Sequence, residues 1–398
     1  MRMQPSQPPQ VTRPEQTTEG KATLNLSHDP SVPAAFYNPR MSLNRDLAIL
    51  FAKSYFNSRE RIRICDPMCG SGVRSIRYAF ELPGTSFILA GDKDTASAKA
   101  TQANVLLNCA ESRVSVVESD ANLLLLNHEF DRFDLVDLDP FGSPAPFFES
   151  ALRATTDMGV LAATATDMGP LSGARASAGL RKYGVTTIRS EFEKEMAART
   201  LAGCLATIAA RIGLGINIAF THATDNYVRI YAVTAKGKTN ANLSMRYMGF
   251  VEYCQSCLRR DIRDALSSIQ PVCENCKEKK RIGGRIWVGK LWDQNLVKRM
   301  IERSPDLNSS RLSEIQKLLA LVQEECEAPA FYYRTDVLSA RLKTKPPKLT
   351  SLLEGLREKG YQATRTHFDP TGFRSNAPAV EIASVTRSLS GEAKPQEV

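Results

Sequence analysis

A stretch that reads as a β-strand, Phe133–Leu138, ends in the run Asp137-Leu138-Asp139-Pro140-Phe141-Gly142-Ser143-Pro144. Its residue types suit the chemistry of an exocyclic amine on a ring. Such a nitrogen is a poor nucleophile because its lone pair is delocalised. A carboxylate and a backbone carbonyl that accept its two N–H bonds return density to nitrogen and aim the lone pair at an electrophile. Asp139 and the Pro140 carbonyl are the candidate acceptors, and Phe141 is placed to stack on the ring. Pro140 has no N–H to offer and stiffens the turn. Once alkylated, the nitrogen is acidic enough for Asp139 or water to take its proton. Asp137 alternates to the same side of the strand as Asp139 and is read as structural.

A second constellation lies upstream. The strand candidate Arg61–Cys65 runs into Asp66-Pro67-Met68-Cys69-Gly70-Ser71-Gly72 and then a helix, Val73–Glu81. Gly70 and Gly72 between strand and helix let a ligand approach the backbone at a helix N-terminus. Asp92 ends the next strand about 20 residues on, the spacing of an acid that binds ribose hydroxyls. Asp120-Ala121 ends the third strand, where a carboxylate can meet an adenine amino group. Together these predict a nucleoside-cofactor site. Met68 interrupts the fuller glycine fingerprint of dinucleotide enzymes.

A third set is Cys254, Cys257, Cys273 and Cys276. Two C-x₂-C pairs separated by fifteen residues predict a structural zinc site of four thiolates, with no open position for catalysis. Arg259, Arg260 and the run from Lys277 to Arg281 flank the ligands. The other five cysteines are read as small core residues.

The elements that must position these residues alternate. Strand candidates at Arg61–Cys65, Ser86–Ala90, Arg113–Val117, Phe133–Leu138 and Gly159–Ala165 are separated by helices at Val73–Glu81, Ala96–Asn108 and Pro144–Thr156. A long helix, Phe192–Arg211, precedes two closing strands, Ile216–Thr221 and Tyr227–Thr234, joined by a turn at His222–Asn226. The alternation predicts a doubly wound, mostly parallel sheet, and the short last connection requires an antiparallel pair. Seven strands ending this way describe a Rossmann-like sheet of the S-adenosylmethionine-dependent methyltransferase class. After Lys238 the texture changes to a smaller α+β part bearing the cysteines. We divide the chain into a disordered leader, 1–20, a methyltransferase domain, 21–238, a zinc-containing domain, 239–385, to which the family resemblance below assigns tRNA binding, and a disordered tail, 386–398.

Bulk composition bounds the rest. A chain of 398 residues, 42% apolar, is long enough for two cored domains. The net charge is +9, and residues from 240 onward hold 26 Lys and Arg against 19 Asp and Glu. That surplus favours a polyanionic partner. Lys277, Lys279, Lys280, Arg281 and Arg285 form one basic run; Lys343, Lys345 and Lys348 form another. No apolar run approaches the length of a membrane span. Nine cysteines without a signal sequence predict a reducing, cytoplasmic setting.

Beyond these general signals, the chain resembles the tRNA guanine-N2-dimethyltransferases that act on guanosine 26. The resemblance runs from about Glu19 to Pro378. It rests on Glu19-Gly20-Lys21, Phe36-Tyr37-Asn38-Pro39-Arg40-Met41 with Asn44-Arg45-Asp46, the loop from Asp66 to Arg77, and Asp139-Pro140-Phe141-Gly142. Ala163 to Met168, Pro170-Leu171-Ser172-Gly173, Tyr183-Gly184, Tyr227-Val228-Arg229, Tyr332-Tyr333 and Thr366-His367-Phe368 complete it. The resemblance implies that Asp139 is the catalytic carboxylate. It implies that Arg45 and Arg74 lie on the cofactor side, Arg45 toward the methionine carboxylate, and that Phe36 walls the site of methyl transfer. Asp92, Asp120 and Ala121 fall at the ribose and adenine contacts. Arg374 stands where a Lys is common, a difference that matters toward phosphate.

The resulting expectation is mono- and then dimethylation of the guanosine N2 amine in tRNA, with S-adenosyl-L-methionine as donor, structural Zn²⁺, and no obligate protein partner. The same Asp-Pro chemistry would serve an amine on another base or an amide. A non-catalytic RNA-binding protein is the rival from another class; the intact Asp139 and Asp92 oppose it.

Overall fold

The computed structural model describes residues 15–26, 36–264 and 267–390. Strands β1 (Glu15–Glu19) and β2 (Ala22–Leu26) form a hairpin, followed by helix α1 (Ser42–Tyr55). The alternation then runs β3 (Ile62–Asp66), α2 (Val73–Glu81), β4 (Thr85–Asp92), α3 (Thr95–Leu107), β5 (Val114–Glu118), α4 (Ala121–Leu126), β6 (Phe133–Leu138), α5 (Phe148–Ala154) and β7 (Thr155–Ala165). Helices α6 (Met168–Ser172), α7 (Ala176–Tyr183) and α8 (Glu193–Arg211) lead to β8 (Leu214–Thr224) and β9 (Tyr227–Lys236).

Strands β3 to β9 form one sheet in the order β5-β4-β3-β6-β7-β9-β8. All pairs are parallel except those made by β9, which lies antiparallel between β7 and β8. The central strands are buried on both faces because helices cover them, which is why Ile62, Ile64, Cys65, Leu135, Val136 and Leu138 read as near-continuous apolar runs. The chain winds outward from β3 to β5 and returns to β6. The crevice of such a sheet opens at that reversal, beyond the carboxyl ends of β3 and β6. Asp66 and Asp139 lie at those two ends.

The closing pair departs from its expected bounds. β8 continues through His222 to Thr224, so His222 is a fully buried strand residue rather than part of the turn. The leader also ends earlier than the composition suggests. Residues 1–14 lie outside the described residues, but Glu15–Glu19 is a strand. Its hairpin docks by backbone donors on side-chain acceptors: Lys21 N to Glu81 Oε1 (3.0 Å), Thr23 N to Asn108 Oδ1 (2.9 Å) and Asn25 N to Asn104 Oδ1 (2.8 Å).

Beyond α9 (Lys238–Met245), strand β10 (Met248–Tyr253) pairs antiparallel with both β11 (Arg260–Asp264) and β12 (Arg281–Trp287). β12 packs on α8, where Gly203 lets the Ile286 and Trp287 backbone come close. Helix α10 (Gln294–Arg303) lies on α1, with Arg299 Nε donating to Ser54 O at 3.1 Å. α11 (Leu312–Glu325) precedes β13 (Tyr333–Arg334), α12 (Thr335–Leu342), α13 (Leu349–Glu358), β14 (Ala363–Arg365), β15 (Gly372–Ser375) and α14 (Ala379–Leu389). β15 is the centre of this small sheet. α14 extends past residue 385, so the first part of the expected tail is helical; residues 391–398 lie outside the described residues.

Arg374, the departure from the usual Lys, and Lys280, a member of the basic run, are buried pins. Arg374, on β15, is 1% exposed. It donates to Glu195 of α8 (Nη1–Oε1 3.1 Å) and to Glu325 of α11 (Nε–Oε2 2.6 Å). Lys280 is buried against Glu252 of β10. Each stands beside a carboxylate that composition and spacing cannot place.

Candidate active site

At the reversal point a cavity of about 580 Å³ opens beyond the carboxyl ends of β3, β4, β5 and β6. Asp66, Gly70, Arg74, Asp92, Asp120, Ala121, Asp139, Pro140 and Phe141 line it; Phe36 reaches it from the segment before α1 and Arg45 from the first turn of α1. The structure therefore brings together residues far apart in sequence. Gly72 is the one residue of the expected set that does not line the wall. It shapes the loop from behind: its φ is +76°, and a Cβ there would stand 2.7 Å from Thr101 Cγ2. The loop feeds α2, whose first N–H groups face the cavity end.

The loop is fixed by the acid at the end of β4. Asp92 Oδ2 accepts from Gly70 N (3.0 Å), and Oδ1 accepts from Asp94 N (3.0 Å). A carboxylate has four lone-pair sites, so two outward directions remain for hydroxyl donors. Asp120 caps α4, with Oδ1 accepting from Asn122 N (2.9 Å) and Leu123 N (3.2 Å). Asp120 also lines the cavity.

At the opposite wall Asp139 is one-fifth exposed. Arg74 Nη2 donates to its Oδ2 and to Asn44 Oδ1 (2.9 Å), while Nη1 donates to Asp137 Oδ2 (3.2 Å). Arg74, expected toward the cofactor, thus lines the cavity and holds Asp137 and Asp139. Asp137 is completely buried and structural, as the alternation implies. It accepts from Arg229 Nη2 at both oxygens (2.8 Å each) and from Tyr78 OH (2.8 Å). Arg229 Nη1 also donates to Thr164 Oγ1 at 2.7 Å.

This lattice sets the charges. Burial pushes the Asp139 carboxyl up, but the Arg74 and Arg229 guanidiniums outweigh it and hold the group below its usual range. Asp139 is therefore an anionic acceptor at neutral pH. For Asp66, burial dominates; Arg74 and a hydrogen bond from Ser75 (2.8 Å) offset it only partly. Asp137 and Asp139 add repulsion, and the group is pushed up to about 7. The two arginines already balance the two other carboxylates, so a third anion is disfavoured.

Arg45 lines the cavity, but Glu19 holds its guanidinium through Nε–Oε1 (2.6 Å) and Nη2–Oε2; Nη2 also reaches Asn38 O (3.0 Å). Glu19 in turn pairs with Arg77 Nη1 at 2.9 Å, and Asp46 with the same nitrogen at 2.6 Å. Sequence reasoning cited Glu19 and Asp46 only within matching segments and gave them no role. The rim carries Phe36 and Phe141, whose rings meet edge-on at 4.8 Å and are 55% and 82% exposed. Exposed aromatic rings at a cavity mouth are available to a planar ligand. Behind Phe141, Thr166 Oγ1 accepts from Gly142 N (2.8 Å), and Thr166 N donates to Gly142 O (3.0 Å). Thr166 and Arg229 are the contributors that spacing alone did not single out.

The four cysteines also converge. Their sulfurs lie within 4.8 Å of one another, at 3.4 Å for Cys254–Cys276 and 3.5 Å for Cys257–Cys273. Each C-x-x-C forms the same knuckle. Cys254 N donates to Arg259 O and Leu258 N to Cys254 O; Cys273 N donates to Glu278 O and Lys277 N to Cys273 O. Leu258 and Lys277 share φ +62°. Two equivalent knuckles presenting four sulfurs fit a tetrahedral Zn²⁺.

A sequence profile of the N2,N2-dimethylguanosine tRNA methyltransferases matches residues 15–387. A tRNA (guanine(26)-N(2))-dimethyltransferase of Methanobrevibacter smithii is 32% identical, with 89% of this chain and 92% of the relative covered. The enzyme of the same description from Pyrococcus horikoshii is 32% identical over 90% and 94% of the two chains. Among solved structures, the complex of Trm1 from Pyrococcus horikoshii with S-adenosyl-L-methionine superposes with a TM-score of 0.84 at 30% identity. That match covers 93% of this chain and 99% of the other. The fold, the crevice and these matches together show that the chain belongs to the N2,N2-dimethylguanosine tRNA methyltransferase family.

Proposed function

We propose that this protein transfers methyl groups, one and then a second, from S-adenosyl-L-methionine to the N2 amine of guanosine 26 in tRNA. The observation that carries the reading is the place of Asp139. An ionised carboxylate stands on the wall opposite Asp92 and Asp120, in one cavity, with Pro140 and Phe141 beside it. Relatives of matching length carry this activity in their names.

S-adenosyl-L-methionine supplies an electrophilic sulfonium methyl group. Asp92 offers acceptors to the ribose hydroxyls, and Asp120 with Ala121 faces the adenine. Gly70 lets the ligand lie close to the backbone of the loop that Gly72 shapes from behind, and Asp66 and Arg45 face its methionine end. Arg74 holds Asp139 by one oxygen and leaves the other for an amine N–H. The Pro140 carbonyl takes the second N–H, and the lone pair is then directed away from both acceptors. Phe36 and Phe141 sandwich or flank the base drawn out of the RNA. The product ammonium loses its proton to Asp139 or water.

We place the catalytic part in residues 21–238 and assign tRNA gripping to the zinc-bearing part, 239–385. The test is methyl transfer to unmodified tRNA transcript and to the same transcript with inosine at position 26. Inosine lacks the amine, so transfer should vanish; equal transfer to both would overturn the reading.

A further inference from the structure

The crossover between β7 and α8 carries α6 and α7 ahead of the long helix. From Met168 to Ser190 the sequence has Arg175, Arg181, Lys182 and Arg189 and no Asp or Glu. All four side chains are exposed. Lys182 pairs with Asp167 at 2.9 Å. Arg175, Arg181 and Arg189 have no ion pair or side-chain hydrogen bond among the described residues. Around the cysteines the basic residues are mixed with acids: Arg259 and Arg263 face carboxylates and Lys280 is buried, while Lys277, Lys279 and Arg281 are exposed but alternate with Glu274 and Glu278.

The element is mounted rigidly at both ends. Tyr183 OH and Lys182 Nζ donate to Asp167, the residue after Thr166, which holds the Phe141–Gly142 turn. Within it, Arg175 N donates to Gly169 O (2.9 Å) and Thr187 Oγ1 to Pro170 O (3.1 Å). At the far end Thr186 and Gly284 of β12 exchange both backbone hydrogen bonds, at 2.9 and 2.8 Å. That bridge brings exposed Arg285 beside the same segment. A segment with no acid of its own, bounded by Asp167 and Glu191, therefore links the turn at the cavity mouth to the sheet that carries the cysteines.

We propose that Arg175, Arg181, Arg189 and Arg285 form a rail that binds the phosphodiester backbone of the RNA next to the base being methylated. This rests on the reading above that the substrate is RNA. Unneutralised guanidiniums on a fixed support repel one another and match phosphate oxygens in a forked geometry. Tethering the rail to the Asp167–Thr166–Gly142 chain ties the register of the backbone to the position of Phe141.

The test measures binding of unmodified tRNA transcript by the full-length protein at several salt concentrations. The variant Arg175→Gln/Arg181→Gln/Arg189→Gln should bind at least about tenfold more weakly near physiological salt. Its slope of log K against log salt should fall by about one per lost contact. The corresponding triple Lys variant should keep most of the slope, and Arg61→Gln, at the other end of the sheet, should keep all of it. Circular dichroism and S-adenosylmethionine binding verify folding; Arg181→Gln alone carries the same sign should the triple variant lose its fold. A triple variant with wild-type affinity and slope overturns the rail while methyl transfer by the wild type leaves the function standing. A wild type that neither binds nor methylates tRNA overturns both.

Discussion

Arg74 reaches Asp137 and Asp139 with the two arms of one guanidinium, so the carboxylate at the cavity wall is fixed to the buried carboxylate beneath it. Asp139 is thereby an oriented acceptor of lowered basicity, suited to holding an amine rather than to strong-base chemistry. Arg74→Lys keeps the charge but cannot span both acids. It should lower kcat by roughly tenfold to a hundredfold with a smaller change in tRNA affinity. Asp139→Asn should cost about a hundredfold or more. Steady-state methyl transfer measures both; an Arg74→Lys enzyme with wild-type kcat would contradict this role.

Asp66 gives a pH signature. In the ligand-free protein it keeps its proton up to about 7, while the unfolded chain loses it near 3.8. The folded state then binds the extra proton between those values, so this contribution to stability falls as pH rises from 3.8 through 7. Asp66→Asn removes it. The wild type should melt lower at pH 8 than at pH 6 by about 1–2 °C more than the variant does. Asp66→Asn should also weaken S-adenosylmethionine binding about tenfold. Thermal melts at the two pH values check the first point and calorimetry the second.

Glu325, which holds the Arg374 that reaches Glu195 of α8, responds in the opposite sense. His367 and Arg374 outweigh burial and hold Glu325 down to about 2, against an ordinary value of 4.5. Its contribution is present above 4.5 and is lost as pH falls toward 2. Glu325→Gln leaves Arg374 partly unpaired and should cost about 3 kcal/mol or more. Denaturant melts at neutral pH should show that loss, and the variant's further loss on acidification should be shallower than the wild type's.

The cysteine set makes a compositional claim. Metal analysis of purified protein should find about one zinc per chain. Cys273→Ser should lose most of it and melt lower, with weakened tRNA binding and near-normal S-adenosylmethionine binding. Metal-free protein of unchanged stability would remove zinc from the account.

Much of this was legible in the sequence because it is local. Asp66 to Gly72, Asp92, Asp120 and Asp139 each follow an apolar strand run directly, and a parallel sheet places such strand ends together. The cysteine spacing is likewise a local motif. What stayed hidden depends on contacts between distant segments. Glu19 engages Arg45 and Arg77 only because the hairpin folds back onto α2 and α3. Arg374 reads as a surface cation until Glu195 and Glu325 arrive from two helices, α8 and α11. Lys280 belongs to a basic run by sequence and to Glu252 by fold. His222 sits beside a turn, yet strand pairing with Arg229 carries it into the core.

The most direct test mixes the purified protein with unmodified tRNA transcript and methyl-labelled S-adenosylmethionine, then digests the RNA and identifies the labelled nucleoside. Asp139→Ala is run alongside. The account requires label in N2-methylguanosine and N2,N2-dimethylguanosine from the wild type, with almost none from the variant. Label in another nucleoside, or undiminished label from Asp139→Ala, would contradict it.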